Sequence, residues 1–220
     1  MRTYYLSCFK DGDAAEPDLT SALGAWETGT RRLLQEKAVD AEDLRTRITE
    51  AFEGDEKIDA LIVSGHGHSS LSGFMVRDDP VSWPDLALLL RRRVRQPCTF
   101  VFYSCNGGYP GVSLALGGAY GVDFVFGSRI VVRASAMTHA TMAILDWKET
   151  GAVNPSSART LVDRENQWGA AMSPNTPHTL FLRVMWGERM ERHPVEPNRQ
   201  RPSGSVIRFR GWELWDLDEP

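Results

Sequence analysis

Residues 58–68 read IDALIVSGHGH, and residues 99–108 read TFVFYSCNGG. Each stretch begins as a continuous apolar run rich in β-branched or aromatic residues, which is typical of strands buried on both faces of a parallel sheet. The first run leads into His66, and the second leads into Cys105. Ligands of open α/β sheets bind at the carboxyl ends of the strands, so we expect both side chains at the same edge. The sequence therefore predicts a site that contains a histidine and a cysteine.

The rest of the chain alternates predicted strands with predicted helices. Further strands are expected at residues 3–9, 38–39, 122–126 and 179–186. Helices are expected at residues 19–35, 41–52, 83–93, 110–118, 134–147 and 157–168. Asp40 and Ser82 precede two of these helices as predicted N-caps. Because such alternation implies right-handed crossovers, we predict an α/β fold with a doubly wound, mostly parallel sheet flanked by helices.

The length of the chain bounds the number of domains. A chain of 220 residues is long enough for one well-buried core and short for two. We therefore predict a single domain over residues 1–220, with its core at about residues 3–186. The prolines within residues 193–203 indicate an exposed linker or lid, and residues 204–220 are expected to close the chain as a hairpin. A second short hairpin is expected around residues 74–76.

Composition argues against several kinds of partner. The net charge of −4 and an isoelectric point near 5.8 give no basic surface, so we expect no direct contact with nucleic acid. No apolar run approaches the roughly 20 residues of a membrane span, and the first ten residues lack the apolar core of a signal peptide. The three cysteines are odd in number and lack zinc-like or redox-motif spacing. We therefore expect a cytoplasmic protein, without a membrane partner, whose thiols stay reduced.

Cys105 has the neighbours that a nucleophilic cysteine requires. An ordinary thiol is mostly protonated at neutral pH, so catalysis needs a nearby base or a dipole that favours the thiolate. His66 is the candidate base, and the glycine-rich turn after Cys105 leads into a predicted helix whose N-terminus would favour negative charge. A lone cysteine is more often a small buried hydrophobe, and we interpret Cys8 and Cys98 in that way. The strand-end histidine favours the catalytic interpretation of Cys105.

Two sequence blocks together resemble the caspase-like cysteine peptidases of clan CD. The match is carried by Val63-Ser64-Gly65-His66-Gly67 and by Tyr103-Ser104-Cys105, and weaker resemblance extends from about residue 4 to about residue 147. That superfamily includes caspases, metacaspases, gingipains, separases and the bacterial CHAT peptidases. The resemblance implies the caspase-like fold and a thiol protease, of the CHAT type.

The resemblance also implies roles for individual residues. An acyl-enzyme would form on Cys105 during cleavage of a protein or peptide substrate, with His66 as the base. The backbone N–H groups of Gly67 and Cys105 would form the oxyanion hole, and no cofactor would be needed. CHAT-type relatives often act in bacterial defence, so an antiviral role is expected by analogy of family. The alternative is a catalytically silent caspase-like module that binds a partner protein.

The His66-Gly67-His68 segment also allows a metal site. Side chains two apart on an extended segment share a face, so the two histidines could hold one metal ion. Such a site needs further ligands close behind, and residues 69–71 supply none. We therefore expect no metal, and we place His68 at the edge of the site as a substrate-binding residue.

The first specificity pocket departs from that of the relatives. There the residue two before the nucleophile forms part of the pocket, and in this chain that residue is Tyr103. The other wall follows the first strand, where this chain has the acids Asp11, Asp13, Glu16 and Asp18. An acidic rim attracts cations, so we expect arginine or lysine before the scissile bond. The sequence between the histidine and cysteine blocks has no obvious cleavable spacer, which favours activation by a partner protein or ligand.

Overall fold

The fold is built on one eight-stranded sheet with helices on both faces. The computed structural model describes residues 1–54, 56–68, 73–94, 97–105, 107, 122–128, 133–150, 153–172, 182–187, 206–209 and 212–215. The strands described are β1 (Arg2–Ser7), β2 (Arg32–Lys37), β3 (Ala60–Ser64), β4 (Gly73–Val76), β5 (Asp79–Ser82), β6 (Cys98–Tyr103), β7 (Val122–Ser128), β8 (Leu182–Gly187), β9 (Val206–Phe209) and β10 (Trp212–Trp215). The helices described are α1 (Glu16–Trp26), α2 (Ala41–Glu53), α3 (Trp83–Arg93), α4 (Ala134–Glu149) and α5 (Pro155–Met172).

The strand order confirms the predicted α/β class. Across the sheet the order is β2-β1-β3-β6-β7-β8-β10-β9. The first five of these strands pair in parallel, and the last three join as antiparallel strands. β4 and β5 form a separate antiparallel pair, as expected for the short hairpin. The order places β3 at the centre of the parallel part, with β1 on one side and β6 on the other.

Side chains of the central strands alternate between two buried layers. In β3, Leu61 and Val63 enter one core, and Ala60 and Ile62 enter the other. The first core is covered by apolar residues of α2 and α3, namely Leu44, Ile48, Trp83, Leu86 and Leu90. The second is covered by residues of α1, α4 and α5, namely Leu19, Leu23, Met137, Ile144 and Leu161. Burial on both faces explains why these strands appear in the sequence as continuous apolar runs.

Two helices begin at the capping residues predicted from the sequence. The carboxylate of Asp40 accepts a hydrogen bond from the N–H of Asp43 at 2.8 Å, one turn into α2. The hydroxyl of Ser82 accepts one from the N–H of Asp85 at 3.2 Å, one turn into α3. Each cap satisfies an N–H group that the first turn of a helix leaves unpaired. Both predictions are confirmed.

The prediction for the second strand was wrong. α1 ends at Trp26, and β2 (Arg32–Lys37) lies where the predicted helix would have continued. The strand predicted at residues 38–39 is not formed there. β2 is an edge strand that pairs with β1, and most of its side chains are partly or fully exposed. It therefore lacks the apolar run that identifies a buried strand, and Leu33 and Leu34 instead extended the apparent apolar face of α1.

Some predicted segments lie outside the described residues. These are the helix expected at residues 110–118 and the linker or lid expected at residues 193–203. At the C-terminal end, β9 and β10 pair in antiparallel fashion, with Trp212 opposite Phe209. None of the helices in the described part is long and apolar enough to cross a membrane.

Candidate active site

The parallel ladder between β3 and β6 brings His66 and Cys105 to one edge of the sheet. Its last registered pair is Ser64 with Tyr103. Gly65 extends the ladder by one hydrogen bond, because its N–H donates to the carbonyl of Tyr103 at 3.1 Å. His66 and Cys105 each follow that last pair by two residues. Both therefore leave the sheet side by side, at the carboxyl ends of neighbouring strands.

Close packing at Gly67 joins the histidine loop to the cysteine. A Cβ atom built on Gly67 would lie 2.3 Å from the carbonyl oxygen of Cys105 and 3.2 Å from its Cβ atom. Real Cβ atoms essentially never approach another heavy atom more closely than 3.0 Å, so a side chain does not fit here. The loop that carries His66 thus lies directly against the backbone of Cys105, and glycine permits that approach.

Backbone hydrogen bonds to the β4–β5 pair hold the other side of the histidine loop. The N–H of Met75 donates to the carbonyl of His66 at 2.8 Å. The N–H of His68 donates to the carbonyl of Gly73 at 2.9 Å. Gly67, between the two histidines, forms an isolated bridge with β4. The loop is therefore fixed both by the small hairpin and by the cysteine.

The imidazole of His66 contacts the loop that follows β1. Its Nε2 atom lies 2.7 Å from Oδ2 of Asp13. The ring of Phe9 meets the imidazole edge-on, with ring centroids 5.1 Å apart and an angle of 73° between the ring planes. The His66 side chain is still 60% exposed, which leaves it accessible to a substrate.

Asp13 carries a largely buried carboxylate in an otherwise exposed loop. Its side chain is 17% exposed, and Oδ1 accepts a hydrogen bond from the N–H of Ala15 at 2.9 Å. Partial burial raises the pKa of Asp13, but the Ala15 hydrogen bond and the contact with His66 outweigh it, so the pKa lies below its ordinary value. Asp13 is therefore ionised at neutral pH. The contact with His66 is one that the sequence analysis did not predict.

Cys105 is the accessible member of three free cysteines. Cys8 and Cys98 are 1% and 0% exposed, and burial raises the pKa of both thiols, as expected for small buried hydrophobes. Cys105 is only partly buried, and its carbonyl accepts a hydrogen bond from the hydroxyl of Ser104 at 3.1 Å. The chain then turns tightly, because the N–H of Gly107 donates to the carbonyl of Ser104 at 3.2 Å. A thiol reagent should thus reach Cys105 first.

Tyr103 lies beneath the site with its hydroxyl turned toward α4. That hydroxyl donates to the carbonyl of Ala134 at 2.8 Å and lies 3.0 Å from the hydroxyl of Thr138. Burial is the main cause that raises the pKa of Tyr103 to about 12. The ring packs edge-on against Phe9, with centroids 6.3 Å apart. The ring, and not the hydroxyl, is therefore the part of Tyr103 that could form the floor of a pocket.

Asp11 takes part in ion pairs at the surface. Its carboxylate lies 2.9 Å from the ammonium of Lys37 and 3.4 Å from the guanidinium of Arg77. The hydrogen bond from Lys37 and the charges of both cations lower the pKa of Asp11. Beside this group, Lys10 pairs with Asp78 at 2.5 Å. These pairs tie the loop after β1 to the end of β2 and to the turn between β4 and β5.

The structure thus gathers most of the predicted site residues around one edge. His66, Gly67 and Cys105 lie in contacting loops, Asp13 bonds to His66, and Tyr103 lies below. Within the described residues, no group of three or more His, Cys, Asp or Glu side chains is arranged to hold a metal ion.

The architecture is similar to that of two solved proteases. No protein-family model matches the chain, and no curated protein is detectably similar in sequence. One similar structure is a secreted C11 cysteine protease from Bacteroides thetaiotaomicron, iotapain, with a TM-score of 0.57 and 12% identity over 84% of this chain. Another is an inactive zymogen C11 protease from Parabacteroides distasonis, with a TM-score of 0.54 and 16% identity, also over 84% of this chain.

These comparisons define the fold class. The matches cover 65% and 61% of the two proteases, so the chain corresponds to less than two thirds of either one. The single α/β unit, with its mostly parallel sheet between helices, matches the caspase-like fold of the C11 proteases.

Gly67→Ala is expected to disturb the contact between the two loops. The added Cβ would overlap the Cys105 carbonyl, so the free energy of unfolding in urea should fall by about 1–3 kcal/mol. The matched control is Gly24→Ala in α1, where a Cβ meets no atom within 4 Å. That variant should be neutral or more stable by up to about 1 kcal/mol. Equal stabilities for the two variants would contradict the packing described here.

Proposed function

We propose that the chain is a cysteine endopeptidase with Cys105 as the nucleophile and His66 as the base. The observation that carries the proposal is the packing of Gly67 on Cys105, which seats the histidine loop against the backbone of the nucleophile. The partial exposure of both side chains supports it, since a substrate must reach them. The fold shared with two cysteine proteases is consistent with this chemistry.

The proposed reaction moves one proton between sulfur, imidazole and the leaving group. His66 takes the thiol proton, and the thiolate of Cys105 attacks the carbonyl carbon of the substrate. When the C–N bond breaks, the imidazolium gives its proton to the leaving amine, and an acyl-enzyme remains on the sulfur. Water, deprotonated by His66, then attacks the thioester, releases the carboxylic acid and restores the thiol.

The N–H groups of Gly67 and Cys105 are proposed to stabilise the oxyanion. The backbones of the two residues are in contact. In the part of the chain that the structure describes, no acceptor takes a hydrogen bond from either N–H. In the proposed reaction both groups donate to the negative charge that develops on the substrate oxygen.

The rim beside the site is proposed to favour a basic side chain before the scissile bond. The loop after β1, the first turn of α1 and their ion-pair partners contain more acids than cations, with Asp11, Asp13, Glu16, Asp18 and Asp78 against Lys10, Lys37 and Arg77. Asp11 is 77% exposed, so a substrate could reach its carboxylate. The ring of Tyr103 would form the floor of this pocket, and His68 would contact the substrate at its edge.

The biological setting is proposed from the sequence resemblance. It includes the CHAT type, a cytoplasmic location, a role in bacterial antiviral defence, and activation by a partner protein or ligand. The silent, partner-binding module remains the alternative, because it would have the same fold and could retain the same two residues.

Cys105→Ala is expected to abolish covalent labelling by a peptidyl acyloxymethyl ketone and to abolish peptide cleavage. Because the thiol is partly exposed, the melting temperature should change by no more than about 2 °C. The matched control, Cys98→Ala, removes a buried thiol at the other end of β6 and should keep both the label and the activity. Mass spectrometry of the labelled peptide identifies the modified residue.

Two results would overturn the peptidase assignment. One is cleavage that persists unchanged in Cys105→Ala. The other is a wild-type protein that, with an activating partner protein or ligand bound, the ketone does not label and whose Cys105 reacts with iodoacetamide no faster than free cysteine. The second result would favour the silent module.

A peptide library should show preferred cleavage after arginine or lysine. Asp11→Ala should reduce the preference for these residues over neutral ones by about 3- to 10-fold, because it removes an exposed charge at the rim. Cleavage of neutral peptides by the same variant serves as the internal control. Strict cleavage after aspartate would contradict the proposal, as would a basic preference unchanged by Asp11→Ala.

A further inference from the structure

The contact between Asp13 and His66 determines which imidazole nitrogen is free. Oδ2 of Asp13 lies 2.7 Å from Nε2 of His66, and the carboxylate is an ionised acceptor. Nε2 must therefore carry the hydrogen that is donated in this bond. The lone pair of the neutral ring is then on Nδ1, so Nδ1 is the atom able to take a proton from Cys105.

We infer that Asp13 is a positioning residue that fixes both the orientation and the tautomer of His66. The inference rests on the proposed function, in which His66 is the base. Asp13 would then act on catalysis through His66, and it would not contact the substrate directly at the acidic rim.

The loop after β1 is built to hold the Asp13 carboxylate in place. Gly12 has a φ of +78°, in the left-handed region that favours glycine, and sets the turn into Asp13. The backbone of Asp13 is fixed on both sides. Its N–H donates to the carbonyl of Lys10 at 3.2 Å, and its carbonyl accepts a hydrogen bond from the N–H of Glu16 at 3.3 Å. Its Oδ1 accepts the hydrogen bond from Ala15. With Oδ1 occupied in this way, Oδ2 is directed to His66.

The strand order explains why this loop reaches the histidine. β1 pairs in parallel with β3 up to Ser7 and Ser64, and the N–H of Cys8 then donates to the carbonyl of Ser64 at 2.8 Å. The chain therefore leaves β1 at the same sheet edge from which the histidine loop leaves β3. Phe9, one residue further on, packs against the imidazole. The Phe9 ring and the Asp13 carboxylate together restrict rotation of the His66 side chain.

This arrangement serves the proton transfer of the proposed reaction. When Nδ1 accepts the thiol proton, the imidazole becomes a cation with hydrogens on both nitrogens. The Asp13 carboxylate then lies 2.7 Å from the positive ring and stabilises it without taking a proton. The low pKa of Asp13 keeps the carboxylate ionised throughout.

Substitution by asparagine gives a sharp test of the tautomer. Because Oδ1 of Asp13 accepts from the N–H of Ala15, the amide of Asp13→Asn would place its carbonyl oxygen on Ala15 and its NH2 group on Nε2 of His66. Nε2 would then have to accept, and the ring hydrogen would move to Nδ1, which could no longer take the thiol proton. Asp13→Asn should therefore lower the rate of peptide cleavage more than Asp13→Ala does, because alanine does not impose either tautomer on His66.

The first measurement is the tautomer itself, by two-bond 1H–15N correlation NMR of the 15N-histidine-labelled protein above pH 8. His66→Ala identifies the signals. We expect the hydrogen on Nε2 in the wild type and on Nδ1 in Asp13→Asn. The control is Asp59→Asn, at the opposite end of β3. The carboxylate of Asp59 also accepts a hydrogen bond from a backbone N–H, in this case that of Arg2 at 2.9 Å. That variant should leave the tautomer unchanged, and an unchanged tautomer in Asp13→Asn would overturn the inference.

The second measurement separates positioning from substrate binding. Asp13→Asn should lower kcat by about 100-fold or more with little change in KM, for basic and neutral peptides alike. A raised KM for basic peptides alone, with kcat kept, would assign Asp13 to the rim and overturn the inference. If the tautomer switches but the wild type neither cleaves peptides nor takes the ketone label, the peptidase assignment fails while the positioning of His66 by Asp13 stands.

Discussion

The parallel pairing of β3 with β6 is the constraint on which the site depends. Five registered pairs end at Ser64 and Tyr103, and one further hydrogen bond from Gly65 carries the pairing into the loops. A slip of one residue in this ladder would turn every β3 side chain into the opposite core and would separate the histidine loop from Cys105. Burial of both strand faces opposes such a slip, because apolar side chains fill both layers. The hydrophobic cores thus set the geometry of a polar site.

Three neighbouring strands deliver the three polar groups. β1, β3 and β6 are adjacent and parallel, so the loops with Asp13, His66 and Cys105 leave the sheet at one edge. Ion pairs of Asp11 with Lys37 and Arg77 tie the first of these loops to its neighbours. Exposed ion pairs of this kind add little to the free energy of folding. Their effect here is to restrict the positions that the loop can adopt. The three loops are therefore held close together at one edge of the sheet.

The sequence could predict what burial and local chemistry determine. Apolar runs identified the central strands, and Asp40 and Ser82 marked helix starts, because both signals are local. The exposed edge strand β2 gave no such signal and was predicted as part of a helix. The bond between Asp13 and His66 depends on β1 lying next to β3, which no local pattern specifies. From the sequence alone, Asp13 is therefore predicted only as one of the acids at the rim.

We propose that one sheet edge joins a nucleophilic Cys105 to a base, His66, that Asp13 holds in place. The most direct measurement is a crystal structure of the protein after reaction with a peptidyl acyloxymethyl ketone. We expect a thioether on Sγ of Cys105, with the ligand carbonyl oxygen within hydrogen-bond distance of the Gly67 and Cys105 N–H groups. Nε2 of His66 should still lie within hydrogen-bond distance of Oδ2 of Asp13. An adduct on another residue, or a His66 ring that has left Asp13 and lies away from the ligand, would contradict the proposal.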